Sequence, residues 1–181
     1  IFSIYTNQLL LLNGERGKDS IAFSLETSGV YDDHRIFSQS IEPYSLHGFK
    51  PDLQESHFQL TAGSTSVIAI TSAKKFGRFL ERCGQTKLLE TLHTSNSLQL
   101  QPEHYLKISR QLTWQLNNPL INSEQRSLHT RHIFTLMLEV FTGTEYDQFN
   151  LFKIAPRQQL VCDLIDWGFE NSTQPRKLNE I

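Results

Sequence analysis

The side chains best suited to chemistry in this sequence are its histidines and cysteines, and their spacing argues against catalysis. A catalytic metal needs several imidazole or carboxylate donors converging on one point, typically a His-x-His pair, a nearby carboxylate and a third His. Here His34, His47 and His57 each stand alone, and no His-x-His occurs. His129 and His132 are three apart and would share a helical face, but no third donor follows, so a solvated or interfacial pair is the plainer reading. Cys83 and Cys162 lie far apart, without Cys-x-x-Cys spacing, inside helical patterns, and read as buried reduced thiols. There is no Gly-x-Ser-x-Gly nucleophile turn. Gly14-Glu15-Arg16-Gly17 sits between two strand patterns, whereas a phosphate loop feeds a helix, so it reads as a hairpin turn. The expectation is no catalytic residue, no metal and no cofactor.

Binding is the better prospect. Phenylalanine is frequent, with 12 copies, and Phe23, Phe37, Phe49 and Phe58 fall on different predicted strands. A small barrel would gather those that face inward into one apolar cavity. A ligand site also needs a few polar groups to fix orientation, and Gln39, His47 and His57 are the neighbours that would supply them. Histidine there would make the site sensitive to pH near neutrality. Ordinary core packing is the alternative for the same phenylalanines.

The elements that must position these residues change character near Thr71. Before it the signals are for strands: Gln8 to Leu12 ending at Asn13-Gly14, Ile21-Phe23-Leu25 alternating with Ala22-Ser24-Glu26, a looser Arg35 to Ile41, and Phe58-Leu60-Ala62. Val67 to Ile70 is continuously apolar, as expected of a strand covered on both faces. After Thr71 the period becomes helical. Ser72 is a predicted N-cap for Phe76, Phe79, Leu80 and Cys83, with Gly84 ending the helix. A short helical stretch through Leu88 and Leu92 follows, then a helix opened by Pro102 and another from Ser123 to Thr142, ended by Gly143. The last of these is apolar on two sides, with Phe134, Leu138 and Phe141 assigned to a homodimer seam. Burial beneath a later helix is the other reading of that face.

Composition sets the outer limits. The chain has 181 residues, 38% hydrophobic and 20% charged, which suits one globular unit with a sizeable core. No apolar run approaches the length needed to cross a membrane and no secretory signal opens the chain, so a cytoplasmic protein is expected. A net charge of −2 and the lack of a basic stripe in the sequence argue against this chain gripping DNA by itself.

The C-terminal stretch supplies a family resemblance. Pro156 opens a helical pattern through Leu160, Val161, Leu164, Ile165 and Trp167, a polar connection containing Pro175 follows, and Leu178-Asn179-Glu180-Ile181 opens a new pattern. With Ile1 at the start and Met137 as the only methionine, the expectation is a piece of a longer protein. This junction resembles that of AraC/XylS-type transcription regulators, where a linker helix leads into the DNA-binding half. The layout is similar to the branch containing the ethanolamine-operon regulator, carried by His57-Phe58-Gln59-Leu60-Thr61, Val67 to Thr71 and the helix from Ser72. The resemblance implies an α+β fold: a cupin-like β-barrel over residues 1–71 that binds a small-molecule effector, a helical bundle over 72–154 for packing and dimerisation, and a linker with the start of the next domain over 155–181. Leu160, Leu164 and Trp167 would then transmit the signal, DNA would be met only through the following domain, and the protein would be a homodimer and no enzyme. The alternatives are a cupin-like metal-dependent enzyme or an interaction module with no ligand.

Overall fold

The computed structural model describes residues 1–28, 33–37, 39–53, 55–118, 122–144 and 149–151, together with positions 160, 164 and 167. In chain order the elements are β1 (Phe2–Tyr5), β2 (Leu10–Glu15), β3 (Ser20–Glu26), β4 (Arg35–Ile36), β5 (Gln39–Ser40), β6 (Ser45–His47), β7 (Glu55–Leu60) and β8 (Thr65–Ser72). They continue as α1 (Ala73–Arg82), α2 (Thr86–Thr94), β9 (Ser95–Gln99), α3 (Pro102–Asn117), α4 (Ser123–Thr142) and β10 (Phe149–Leu151).

The α+β class holds, but the barrel gives way to two antiparallel sheets. One has six strands in the order β1-β8-β3-β6-β9-β10, the other four in the order β2-β7-β4-β5. No pairing closes them into a barrel among the described residues. Strands β9 and β10 arise within the stretch expected to be helical and extend the larger sheet, so the parts before and after residue 71 share it.

The local reason lies in the turns. Asn13-Gly14 does not turn: β2 runs through it, with Asn13 opposite His57 and Gly14 opposite Ser56. The chain reverses at Gly17, whose carbonyl accepts from Ser20 N at 2.9 Å. Because β2 pairs with β7 and β3 with β8, the segment between them passes from one sheet to the other and is not a hairpin.

The helices cover the outer face of the six-stranded sheet. Helix α1 begins as expected, with Ser72 Oγ accepting from Lys75 N at 3.1 Å and Gly84 at φ +72° just beyond its end. The core joins both layers through aromatic contacts: Phe23 to Phe76 at 5.3 Å between ring centroids, Phe49 to Phe141 at 5.2 Å and Phe76 to Phe134 at 5.0 Å. Cys83, expected to be buried, is an exposed free thiol, because it follows the last turn of α1, where the chain leaves the core. Cys162 lies outside the described residues.

Candidate functional site

Strand β3 alternates, and its two faces do different work. Ile21, Phe23 and Leu25 point into the helical core and are all but inaccessible. Ala22 and Ser24 point the other way, toward the four-stranded sheet, and β8 presents Ser66, Ile68 and Ile70 on the same side. Two of these five side chains are serines and one is alanine, so the sheets face each other without filling the gap. A cavity of about 250 Å³ remains, walled opposite by Leu12, Ile36, Phe37, Leu53, Phe58 and Leu60. Dry cavities of about 150 Å³ in other proteins accept benzene, so a molecule larger than one ring fits here.

The open end lies beside the crossing segment. Arg16 lines it, half-buried, with its guanidinium held by three backbone carbonyls: Ser20 O at 2.9 Å, Gly48 O at 3.0 Å and Lys50 O at 3.2 Å. Among the described residues Arg16 makes no ion pair. Burial lowers its pKa, though an arginine keeps its charge at neutral pH. Gly48 must be glycine: its φ is +92°, and a Cβ there would come within 3.1 Å of Ala22 Cβ and 3.2 Å of Ala22 O. That close approach sets the Gly48 carbonyl beneath the guanidinium.

The far end is polar and sealed. Ser24 Oγ is buried and lacks a hydrogen-bond partner, while Ser66 Oγ donates to Glu26 Oε1. Glu26 Oε2 lies 3.6 Å from His34 Nδ1, and His47 sits beside them as the strand partner of Ser24. Burial raises the pKa of Glu26, against a smaller opposing effect from Ser66. Burial likewise lowers His34, and it takes His47 down to about 3, with proximity to His34 adding to the effect. Both imidazoles are therefore neutral at pH 7. From α3, Tyr105 donates its hydroxyl hydrogen to the backbone carbonyl of Glu26, tying this end of the cavity to the helices.

The expected ligand residues part company. Phe37 and Phe58 line the cavity. Phe23 and Phe49 do not: both belong to the core of the helical layer, Phe23 because an alternating strand sends its large residues to the face with most room to bury them, and Phe49 from just beyond the end of β6. His47 is buried behind the wall, its ring 6.0 Å from Phe58. His57 is turned to Asn13 Oδ1 at 3.0 Å and Glu55 Oε2 at 3.1 Å, and Gln39 is exposed on β5. Arg16, Ser24 and Ser66 line the cavity but are not among the ligand residues that the sequence points to. The available signal was an arginine in a glycine-flanked crossing and small residues alternating with large ones.

The assigned dimer seam is also occupied. Phe134 and Phe141 are buried in the protomer's own core, and the half-buried Leu138 packs against it. Helix α4 is apolar on two sides because it meets both the sheet and α1. Leu160 and Leu164 are helical and exposed, Trp167 is helical and half-buried, and the rest of 155–181 lies outside the described residues.

Comparison with family models, with curated proteins and with solved structures gives no match.

Two further surface features bear on function. Lys75, Arg78 and Arg82 of α1 face Arg126 and Arg131 of α4 across a shallow groove floored by Phe79 and Phe134, and none of the five makes an ion pair among the described residues. The expectation of no basic stripe is thus corrected: a net charge near zero says nothing of where the charges gather. His129 stacks on Trp114 at 5.6 Å, and no group of three His, Cys, Asp or Glu converges as a metal site among the described residues.

Proposed function

We propose that this chain is the effector-sensing half of an AraC-type transcription regulator, its β part a cupin-like module that takes a small molecule between its sheets. One observation supports this above the rest. A single sheet carries the cavity on one face and the helical core on the other, through adjacent residues of β3. A ligand that tightens against Ala22 and Ser24 acts on the strand that also holds Ile21, Phe23 and Leu25 against α1 and α4. The hydrogen bond from Tyr105 to Glu26 adds a link to α3. Differential affinity for two arrangements of this wall is what would shift the helices, and with them a DNA-binding domain further along the protein. Homodimerisation belongs to this reading, but not through Phe134, Leu138 and Phe141, which the protomer's own core occupies.

The test is hydrogen exchange with a ligand found by thermal-shift screening. Slowed exchange in β3 and β8 together with altered exchange in α1 or α3 supports sensing. Protection limited to the two sheets would refute the coupling. Stoichiometric metal with turnover would favour a cupin-like enzyme instead, and the failure of every compound to raise the melting temperature would favour an interaction module.

A further inference from the structure

We propose that the cavity is built for a small, elongated monocarboxylate whose far end carries a hydroxyl or similar polar group. This deepens the sensing reading and rests on the same cavity.

The first support is the charge at the open end. A guanidinium has five N–H donors, and three here are engaged by carbonyls, leaving two. The carbonyls satisfy hydrogens but do not neutralise the cation, which sits half-buried beside apolar walls where an unpaired charge is costly. Glu15 also stands at the mouth, exposed, and makes no ion pair with Arg16. A carboxylate arriving at the mouth would supply the missing negative charge with geometry the guanidinium fork favours.

The second support is independent and lies at the sealed end. Ser24 Oγ is buried, unpartnered and lines the cavity. A buried hydroxyl without a partner costs free energy that a ligand polar group recovers. Ser66, which spends its hydrogen on Glu26, keeps lone pairs to accept from the same group. Between the two ends the walls are apolar apart from Ser56 and Asn96, so most of the ligand's middle is hydrocarbon or aromatic.

The strand sets the length. Ser20, whose carbonyl holds Arg16, and Ser24 are four residues apart on β3, about 13 Å at the usual strand rise. Allowing a hydrogen bond of about 3 Å at each end leaves roughly 7 Å between the polar ends of the ligand.

The experiment is calorimetric titration with straight-chain ω-hydroxy acids of four to eight carbons, the matched diols, the matched amino alcohols and the plain acids. The expected result is that a mid-length ω-hydroxy acid binds at least tenfold tighter than its diol or amino alcohol, and that added NaCl weakens the acid but not the diol. In Arg16→Gln the preference for acid over diol should fall to within about twofold. Ser24→Ala should keep that preference and lose the preference for ω-hydroxy over plain acid. Because Arg16 also holds three carbonyls, the salt dependence of the unaltered protein serves as the readout if Arg16→Gln fails to fold. A diol that binds as tightly as its acid, or no binding by any acid at millimolar concentration, overturns the proposal. A neutral ligand that alters helix exchange would overturn it while leaving sensing intact, and an acid that binds without altering helix exchange would do the reverse.

Discussion

Phe23 and Ser24 are adjacent on β3 and serve separate compartments: the Phe23 ring lies 5.3 Å from that of Phe76 on α1, while Ser24 Oγ faces the gap between the sheets without a partner. One step along the strand separates what holds the fold from what can hold a ligand. Substitution at the two positions therefore has opposite signatures. Phe23→Ala should lower stability by about 3–5 kcal/mol, through lost transfer energy and the hole left among the aromatic rings. Ser24→Ala should change it by less than about 1 kcal/mol, because the hydroxyl removed makes no hydrogen bond. Urea unfolding of both variants decides it, and equal losses would mean that Ser24 is core.

The neutral state of His47 makes the protein acid-sensitive in a defined window. Its pKa is about 3 when folded and near 6.5 in an unfolded chain, so between those values the unfolded state binds the extra proton. Stability is then complete above about pH 6.5 and falls with pH down to about 3, by up to about 1.4 kcal/mol per pH unit for one proton. His34, also lowered by burial, acts in the same sense. Glu26, raised by burial, acts in the opposite sense from its ordinary value upward, where the folded state keeps the proton longer. The His47 share is read by comparison: His47→Gln should flatten the acid slope of melting temperature against pH between 6.5 and 4. An unchanged slope would mean that the buried imidazole protonates in place.

Leu138→Glu should act within one protomer. The side chain packs against the core, so a carboxylate there lowers the unfolding midpoint by an amount independent of protein concentration. Sedimentation across a wide concentration range, combined with unfolding at each, checks this. A loss that shrinks as the protein is concentrated would restore α4 to a subunit interface.

The five cations facing one another across α1 and α4 repel. Raising NaCl from 50 to 500 mM should stabilise the protein at pH 7 by screening them. Arg131→Glu should stabilise it at low salt, by no more than about 1 kcal/mol because the groups are exposed. A melting temperature indifferent to both changes would show that solvent already separates these charges.

Local patterns carried much of the secondary structure. The Ser72 cap, the Phe76/Leu80 spacing, Pro102 at the start of α3, Gly143 at the end of α4 and the alternation of β3 are all consequences of neighbours in the chain, and each element appears where that chemistry places it. Alternation says that two faces differ, but not what covers either one. Whether Phe23 or Ser24 faced the ligand depended on a second sheet and a helical layer brought from distant residues. The same is true of Arg16, whose role rests on carbonyls at Ser20, Gly48 and Lys50, two of them more than thirty residues away. Strands β6, β9 and β10 are short, and their pairing energy comes from partners far along the chain, so no local signal announced them. The basic groove has the same origin. Its residues are scattered through α1 and α4 in a sequence of near-zero net charge, and only the packing of those two helices gathers them on one side.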